Sequence, residues 1–436
     1  MTRANVMALL ATLDTKGPET AYVRDRLRDH GLKSIVIDCG ILGEPRGIEP
    51  DVSSDEVAQA GGASLDELRA IGTRGRAVAA MRTMLANFVE GLYRRGEIDG
   101  GIGLGSAEGA VMAASALMRL PVGVPKIIVS PIASGRHEFG PLVGTRDMMV
   151  VHSVVDILAH NEIAWMVFDN VAASMAGMAR VRASAGHAAP DGMRGAPGPP
   201  TIGITMLGNT TRAGMACQRV LHEHGLRTMV FHSNGVGGPA MEELAREGHL
   251  DGVIDLTTNE VTDPLVGGIH DGGPDRMRVI SKLGLPQVVG PGCIDFAVFE
   301  PSRIPDALRD RPSYDHNPEF RLVRTSAQEM ITIAGIFAER LAPSTGPLAV
   351  AVPTRGLSIP NTPGGPFWDP DADAGFLRAL REQLRNDGQL HTFDHHVNDP
   401  AFGREVAGVF LDIAMSSLTT ATPAITASAV MAASGS

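Results

Sequence analysis

Three loops in this sequence carry side chains in patterns suited to holding a small anion or another polar ligand. The first, Leu13-Asp14-Thr15-Lys16-Gly17-Pro18-Glu19, follows a short apolar run. Pro18 suits a first helical turn and Glu19 favours the positive end of the helix dipole. Thr15 and Lys16 can meet a phosphate or a carboxylate, while Asp14 or Thr15 serves equally as a plain helix cap. Asp38, which ends the next apolar run, stands roughly where dinucleotide folds place the acid that holds ribose hydroxyls. The second loop is Gly101-Ile102-Gly103-Leu104-Gly105-Ser106-Ala107-Glu108-Gly109. Its glycines permit close backbone approach to a ligand and Ser106 offers a hydroxyl; close helix-strand packing is the other use of such a run. It matches neither a Walker loop nor GxGxxG, and Glu108 beside a phosphate requires an intervening cation.

The third set combines Gly208-Asn209-Thr210-Thr211, Ser233-Asn234-Gly235-Val236-Gly237-Gly238 and Thr257-Thr258-Asn259-Glu260. Amide and hydroxyl groups after successive strand-like runs fit recognition of a polar metabolite, and they fit turns and caps as well. Asn209, Thr210, Asn234 and Arg355 would contact a small carboxylate or carbonyl compound if this half were an enzyme. A later group holds His316-Asn317-Pro318, Arg355-Gly356 and Asp394-His395-His396. Adjacent residues on a strand face opposite ways, so His395 and His396 do not share a metal from regular β structure, and a satisfied turn is the better reading. With no spaced Ser/His/Asp or Cys/His signature, catalysis stays open.

These loops need a scaffold that aims strand ends at one place. Short Val- and Ile-rich runs alternate with amphipathic stretches, beginning VMALLATL, a helical pattern to His30, then KSIVIDCG; further runs are GGIGLG, KIIVSP, TIGITML, RTMVFHS, GVIDLTT, PQVVGPG, LAVAVPT and LHTFDH. This is βαβ grammar, the pattern of a parallel sheet wound on both faces. Landmarks recur in order in both halves. HGLKSIVIDCG is matched by HGLRTMVFHSNG, Ile98-Asp99-Gly100 by Leu250-Asp251-Gly252, and VPKIIVSP by LPQVVGPG. The expected fold is therefore α/β, two Rossmann-like parallel-sheet domains related by an internal repeat and flanking a cleft. The boundaries are 1–180 and 201–418, joined by a Pro/Gly/Ala-rich linker at 181–200 and followed by a low-complexity tail at 419–436.

Composition bounds the function. A chain of 436 residues exceeds one ordinary core, which saturates at about 250–300 residues. A formal charge of −11 opposes binding to nucleic acid or an anionic membrane surface, and no stretch is long and apolar enough to span a bilayer. Cys39, Cys217 and Cys293 lie far apart with no CxxC spacing, which suits a reducing compartment, the cytoplasm. MTRANVMALLATL reads as a first strand rather than a leader.

The stretches ATLDTKG (11–17), VGVPKIIVSPIASG (122–135), VGTRDMMVVHSVVDI (143–157), LGNTT (207–211), FHSNGVGGPAMEEL (231–244), HNP (316–318) and TPGGPFWDPDAD (362–373) resemble uncharacterised protein family 0261. The resemblance spans about residues 3 to 410. It implies two Rossmann-like subdomains, homodimers, and a bound ATP with a divalent cation such as Mg²⁺. The implied nucleotide-binding set is Asp14, Thr15, Lys16, Asp38, Gly103, Gly105, Ser106, Ser134 and Gly135. The substrate-facing set in the second half is Asn209, Thr210, Thr211, Asn234, Gly235, Gly237, Gly238 and Arg355. A plant member of the family uses its domain to bind a viral replication protein, which makes a protein-interaction module a further reading. Plant forms append a barrel domain, so the resemblance also implies a separately encoded barrel-domain partner. Family members read Gly-Gly-Ser-Gly-Gly-Thr where this chain has Gly103-Leu104-Gly105-Ser106-Ala107-Glu108; a Mg²⁺ bridging Glu108 to phosphate would reverse the charge penalty.

Overall fold

The alternation of Val/Ile-rich runs with amphipathic stretches becomes, in the computed structural model, an alternation of parallel strands with helices. The structure describes residues 5–133, 142–158, 161–184, 198–384 and 389–421. The chain divides into two units, Met1–Gly192 and Met193–Ser436.

The first unit opens with β1 (Val6–Ala11), α1 (Leu13–Asp29) and β2 (Lys33–Asp38). Next come α2 (Ser54–Ala60), α3 (Leu65–Arg69), α4 (Arg74–Arg94), β3 (Gly100–Leu104) and α5 (Ala107–Leu117), and β4 (Lys126–Ser130), β5 (Met149–His152) and α6 (Glu162–Ser184) complete it. Its strands lie in the order β2-β1-β3-β4-β5, all parallel. Met7, Leu9 and Ala11 turn to one face, under α1 and α6, while Ala8 and Leu10 turn to the other, under α4 and α5. Period-two alternation with both faces apolar is what a doubly wound sheet demands.

The second unit begins with β6 (Thr201–Met206), α7 (Thr211–Glu223), β7 (Arg227–His232), α8 (Gly237–Arg246) and β8 (Gly252–Thr257). It continues through α9 (Asp263–Val266), α10 (Arg278–Leu283), β9 (Gln287–Gly292), β10 (Phe296–Phe299), β11 (Ser313–Asp315) and β12 (Arg321–Arg324). α11 (Ala327–Leu341), β13 (Leu348–Pro353), α12 (Pro370–Gln383), β14 (Leu390–Phe393) and α13 (Pro400–Ala421) close it. Here the parallel order is β7-β6-β8-β9-β13-β14, the same winding with one more strand. In both units the last helix packs beside the first, α6 on α1 and α13 on α7.

The repeat extends to single hydrogen bonds. Asp99 Oδ2 accepts from the Val6 amide at 2.8 Å, and Asp251 Oδ2 accepts from the Thr201 amide at 2.8 Å. In each case the aspartate just before the third strand latches the start of the first. The helix ends match as well: Gly31 (φ 79°) and Gly225 (φ 75°) take the left-handed conformation that closes α1 and α7.

Four features depart from the sequence reading. α1 starts at Leu13, so Asp14, Thr15 and Lys16 lie in its first turn and Pro18 sits beyond that turn, with no N–H to offer the Asp14 carbonyl. α6 runs to Ser184, into the stretch read as linker, whose residues 185–197 lie outside the described residues. α13 runs to Ala421, into the stretch read as a tail, and the rest of that stretch also lies outside them. β5 and an antiparallel sheet, β10-β12-β11, were not foreseen, because strands of four and three residues leave no long apolar run. No helix among the described residues is long and apolar enough to cross a membrane.

Candidate functional site

In doubly wound sheets a ligand crevice opens at the carboxyl edge where the chain reverses its direction of winding. In the first unit that point lies between β1 and β3. The loops leaving these strands are the two read from sequence, and the structure brings their key side chains together. Ser106 Oγ donates to Asp156 Oδ1 at 2.7 Å, and Lys16 Nζ lies 3.7 Å from the same oxygen. Lys16 is buried at 5% exposure, whereas the Asp156 side chain is 53% exposed, so the ammonium sits at the floor and the carboxylate at the rim. The Ser106 hydroxyl above all, with Lys16 and the Ile157 amide adding to it, holds the Asp156 carboxyl below its usual range against the opposing effect of burial. Ser106 precedes α5 without capping it through its hydroxyl. That leaves the positive end of the α5 dipole facing this crevice. Thr12 and Thr15 add hydroxyls 3.1 Å apart, with Thr15 exposed, and Thr15 Oγ1 also reaches Asp14 Oδ1 at 3.3 Å.

Other expected residues are given structural work. Asp38 is 1% exposed, and its Oδ1 accepts from the Leu13 amide at 3.0 Å and the Gly40 amide at 2.9 Å. It therefore caps α1 from the neighbouring strand, and burial raises its pKa against those two amides. Gly103 is buried within β3, where a Cβ would lie 2.5 Å from Ala113 Cβ and 2.6 Å from Ile128 Cδ1. This is the packing role, letting α5 settle onto the strand. Gly105 makes the turn into α5, with no room for a Cβ beside the Ala110 amide at 2.3 Å. Ser134 and Gly135 lie outside the described residues.

In the second unit the winding reverses between β6 and β8. Thr210 Oγ1 and Thr257 Oγ1 bridge these strand ends at 2.8 Å, both fully buried, and Asn209 Oδ1 accepts from the Ile359 amide at 3.0 Å. Thr211 Oγ1 donates to the Leu207 carbonyl at 2.9 Å. Exposed Asn234 accepts from the Val236 amide at 3.3 Å. The start of α8 already holds an anion of the protein's own. Glu260 Oε1 accepts from the Gly235 amide at 2.8 Å and the Gly238 amide at 3.1 Å. Glu260 Oε2 in turn accepts from Arg276 Nε at 2.6 Å, and Arg276, fully buried, forms a two-pronged pair with Asp255 at 2.6 and 2.7 Å. A Cβ on Gly238 would lie 1.9 Å from Glu260 Oε2, so this glycine makes room for the network, and one on Gly237 would lie 1.9 Å from the His232 carbonyl oxygen. Glu242 joins it, and burial pushes its carboxyl up to about 7. Arg355 is exposed and paired with Asp394.

Several groups near these strand ends were not singled out from sequence. Asp156 was visible only as one residue of a longer matching stretch. Asp263 and His270 gave no signal, since their relation to Asn259 arises from the tight turn after β8. His270 is held neutral, its pKa lowered to about 4 by burial and by His232 and His316. Among the described residues no group of three or more His, Cys, Asp or Glu side chains is placed to hold a metal ion.

Comparison with known proteins accounts for both units. Residues 5–184 match the family description "Uncharacterised protein family (UPF0261) N-terminal domain", and residues 199–414 match the C-terminal domain of the same family. A UPF0261 protein of Clostridium tetani is 35% identical over 92% of this chain and 96% of its own length. The ToMV resistance protein Tm-1(GCR237) of Solanum lycopersicum is 36% identical over 78% of this chain, a match that takes in 45% of the tomato protein. Among solved structures, UDP-N-acetylglucosamine 2-epimerase from Rickettsia bellii is similar at a TM-score of 0.21 and 10% identity, over 96% of this chain and 97% of that one. The chain belongs to the uncharacterised protein family UPF0261, in both its N-terminal and its C-terminal domain.

Proposed function

We propose that the first unit binds a nucleotide, ATP, with its phosphates in the crevice between the ends of β1 and β3. The observation that carries this reading is the convergence of Lys16 and Ser106, from two different loops, at the uncapped start of α5. A buried ammonium and a helix N-terminus together favour a polyanion. Asp156 and the Ser106 hydroxyl are oxygen ligands of the kind Mg²⁺ takes alongside phosphate oxygens, so they would hold the cation that accompanies the nucleotide. Lys16 would then answer phosphate charge, Thr15 would add a hydroxyl at the mouth, and Asp38 would act only by fixing the first turn of α1. Aromatics are 4% of the sequence, so adenine would rest against aliphatic side chains and backbone.

Calorimetric titration of the full chain with ATP and Mg²⁺ tests this. Binding that Lys16→Met weakens at least tenfold supports it; no heat at millimolar nucleotide would falsify it. A homodimer belongs to the same reading.

A further inference from the structure

The antiparallel sheet β10-β12-β11 is the part of the second unit for which the first has no counterpart among the described residues. Its register builds one mixed face. Ser313 lies opposite Val323 and Asp315 opposite Arg321, while Ala297 and Phe299 of β10 meet the same two positions of β12 from the other side. Cross-strand partners share a face, and so do residues two apart. The segment after β10 folds back over this face in two short 3₁₀ turns, Pro301–Arg303 and Asp306–Leu308. Ile304 and Leu308 are thereby buried against Ala297, Phe299 and Val323. Just beyond, Arg311 grips Glu329 of α11 at 2.7 and 3.0 Å, which anchors the far end of the covering segment.

Between sheet and segment a cavity of about 190 Å³ remains, lined by Ile304, Leu308 and Val323 together with Arg309, Arg321 and Ser313. It is much larger than one water, whose share of liquid is about 30 Å³, and smaller than a drug-sized site of roughly 300–1,000 Å³. The three apolar residues are buried, whereas Arg309 and Ser313 are exposed and Arg321 is half-buried, so the floor is greasy and the mouth cationic. Each guanidinium meets an acid through a single nitrogen: Arg309 Nη2 lies 2.9 Å from Asp306 Oδ1, and Arg321 Nε donates to Asp315 Oδ1 at 2.6 Å. The Asp306 and Asp315 side chains are 89% and 70% exposed, and neither lines the cavity. Such solvated pairs are weak, and a guanidinium has five N–H donors, so both arginines keep donors for an anion at the mouth.

We propose that this cavity takes a small aliphatic carboxylate, its carbon chain against Ile304, Leu308 and Val323 and its carboxylate between Arg309 and Arg321, with the Ser313 hydroxyl as a further donor. The site is independent of nucleotide binding in the first unit. The probe is butyrate, offered to the full chain in saturation-transfer NMR and calorimetry. Butyrate should bind with a millimolar dissociation constant and receive most saturation at its terminal methyl. Acetate, shorter by two methylenes, should bind roughly tenfold more weakly, and butan-1-ol, butylammonium and inorganic phosphate should not compete. Arg309→Gln and Arg321→Gln should each weaken butyrate severalfold and together at least tenfold, and Ser313→Trp should exclude it by filling the mouth. Arg303→Gln, outside the cavity, and Lys16→Met should leave it unchanged. The proposal is overturned if butan-1-ol or phosphate matches butyrate, if the double arginine variant or Ser313→Trp keeps full affinity, if Arg303→Gln weakens binding as much as the lining arginines do, or if no butyrate binds at tens of millimolar.

Discussion

Lys16 and Asp156 come from opposite ends of the first unit and meet with Nζ 3.7 Å from Oδ1, one buried and the other half exposed. Because the Asp156 carboxylate is half in solvent and the contact is long, the pair contributes little to stability, about 0–1 kcal/mol. Its meaning is therefore positional: the ammonium is kept extended toward the mouth rather than folded back on the sheet. Replacing Lys16 with Met should shift the midpoint of urea unfolding only slightly while removing most nucleotide affinity. A variant that unfolds early would show that the lysine is a core element instead.

The Asp38 carboxylate separates a structural from a ligand-binding role. Asp38→Ala leaves the Leu13 and Gly40 amides without their acceptor and should lower stability by about 3 kcal/mol in chemical denaturation. Asp38→Asn retains an acceptor oxygen and should recover more than half of that loss, with nucleotide affinity equal to the parent protein. Loss of affinity in a stable Asp38→Asn protein would return the residue to the ribose.

Arg276 is the centre of the second unit's buried charge. Arg276→Met would strand Asp255, Glu260 and Glu242 without their cation, and removing one partner from such a network costs about 3–5 kcal/mol. The loop from Asn234 to Gly238 should loosen with it, since Glu260 is what holds the Gly235 and Gly238 amides. Hydrogen exchange at those two amides is the direct measurement.

Burial raises the Asp263 carboxyl from 3.8 to about 7, with Glu260 and Asp271 adding to the rise and the His270 and Val298 amides opposing it. The folded state therefore holds a proton that the unfolded chain releases, and stability from this group falls as pH climbs from about 4 to about 7, then levels. Asp263→Asn has no such dependence. The difference in melting temperature between the variant and the parent should widen across that interval in the variant's favour. A constant offset across the interval would mean that Asp263 titrates normally.

What the sequence revealed depended on length and locality. The longer Val/Ile runs declared their strands because both faces of a parallel sheet must be apolar, and the matched turns after α1 and α7 declared the repeat because only glycine is comfortable at their positive φ. β11, Ser313–Asp315, has three exposed residues and no apolar face to announce it. The loops around Lys16 and Ser106 were legible as ligand loops, but Asp156, which joins them, was not, since nothing local marks a lone acid after VHSVV. Asn234 to Gly238 read as a binding loop because amide and hydroxyl side chains cluster after its strand. Its backbone amides instead hold the protein's own Glu260, whose place depends on a fold-wide meeting with Arg276.

The paired latches of Asp99 and Asp251 carry a mutational consequence. Each half fastens its own opening strand with its own acid, and each fills both faces of its own sheet. Every bond in one such set is made within a single half, so substitutions in the loops of either half leave the frame of the other untouched.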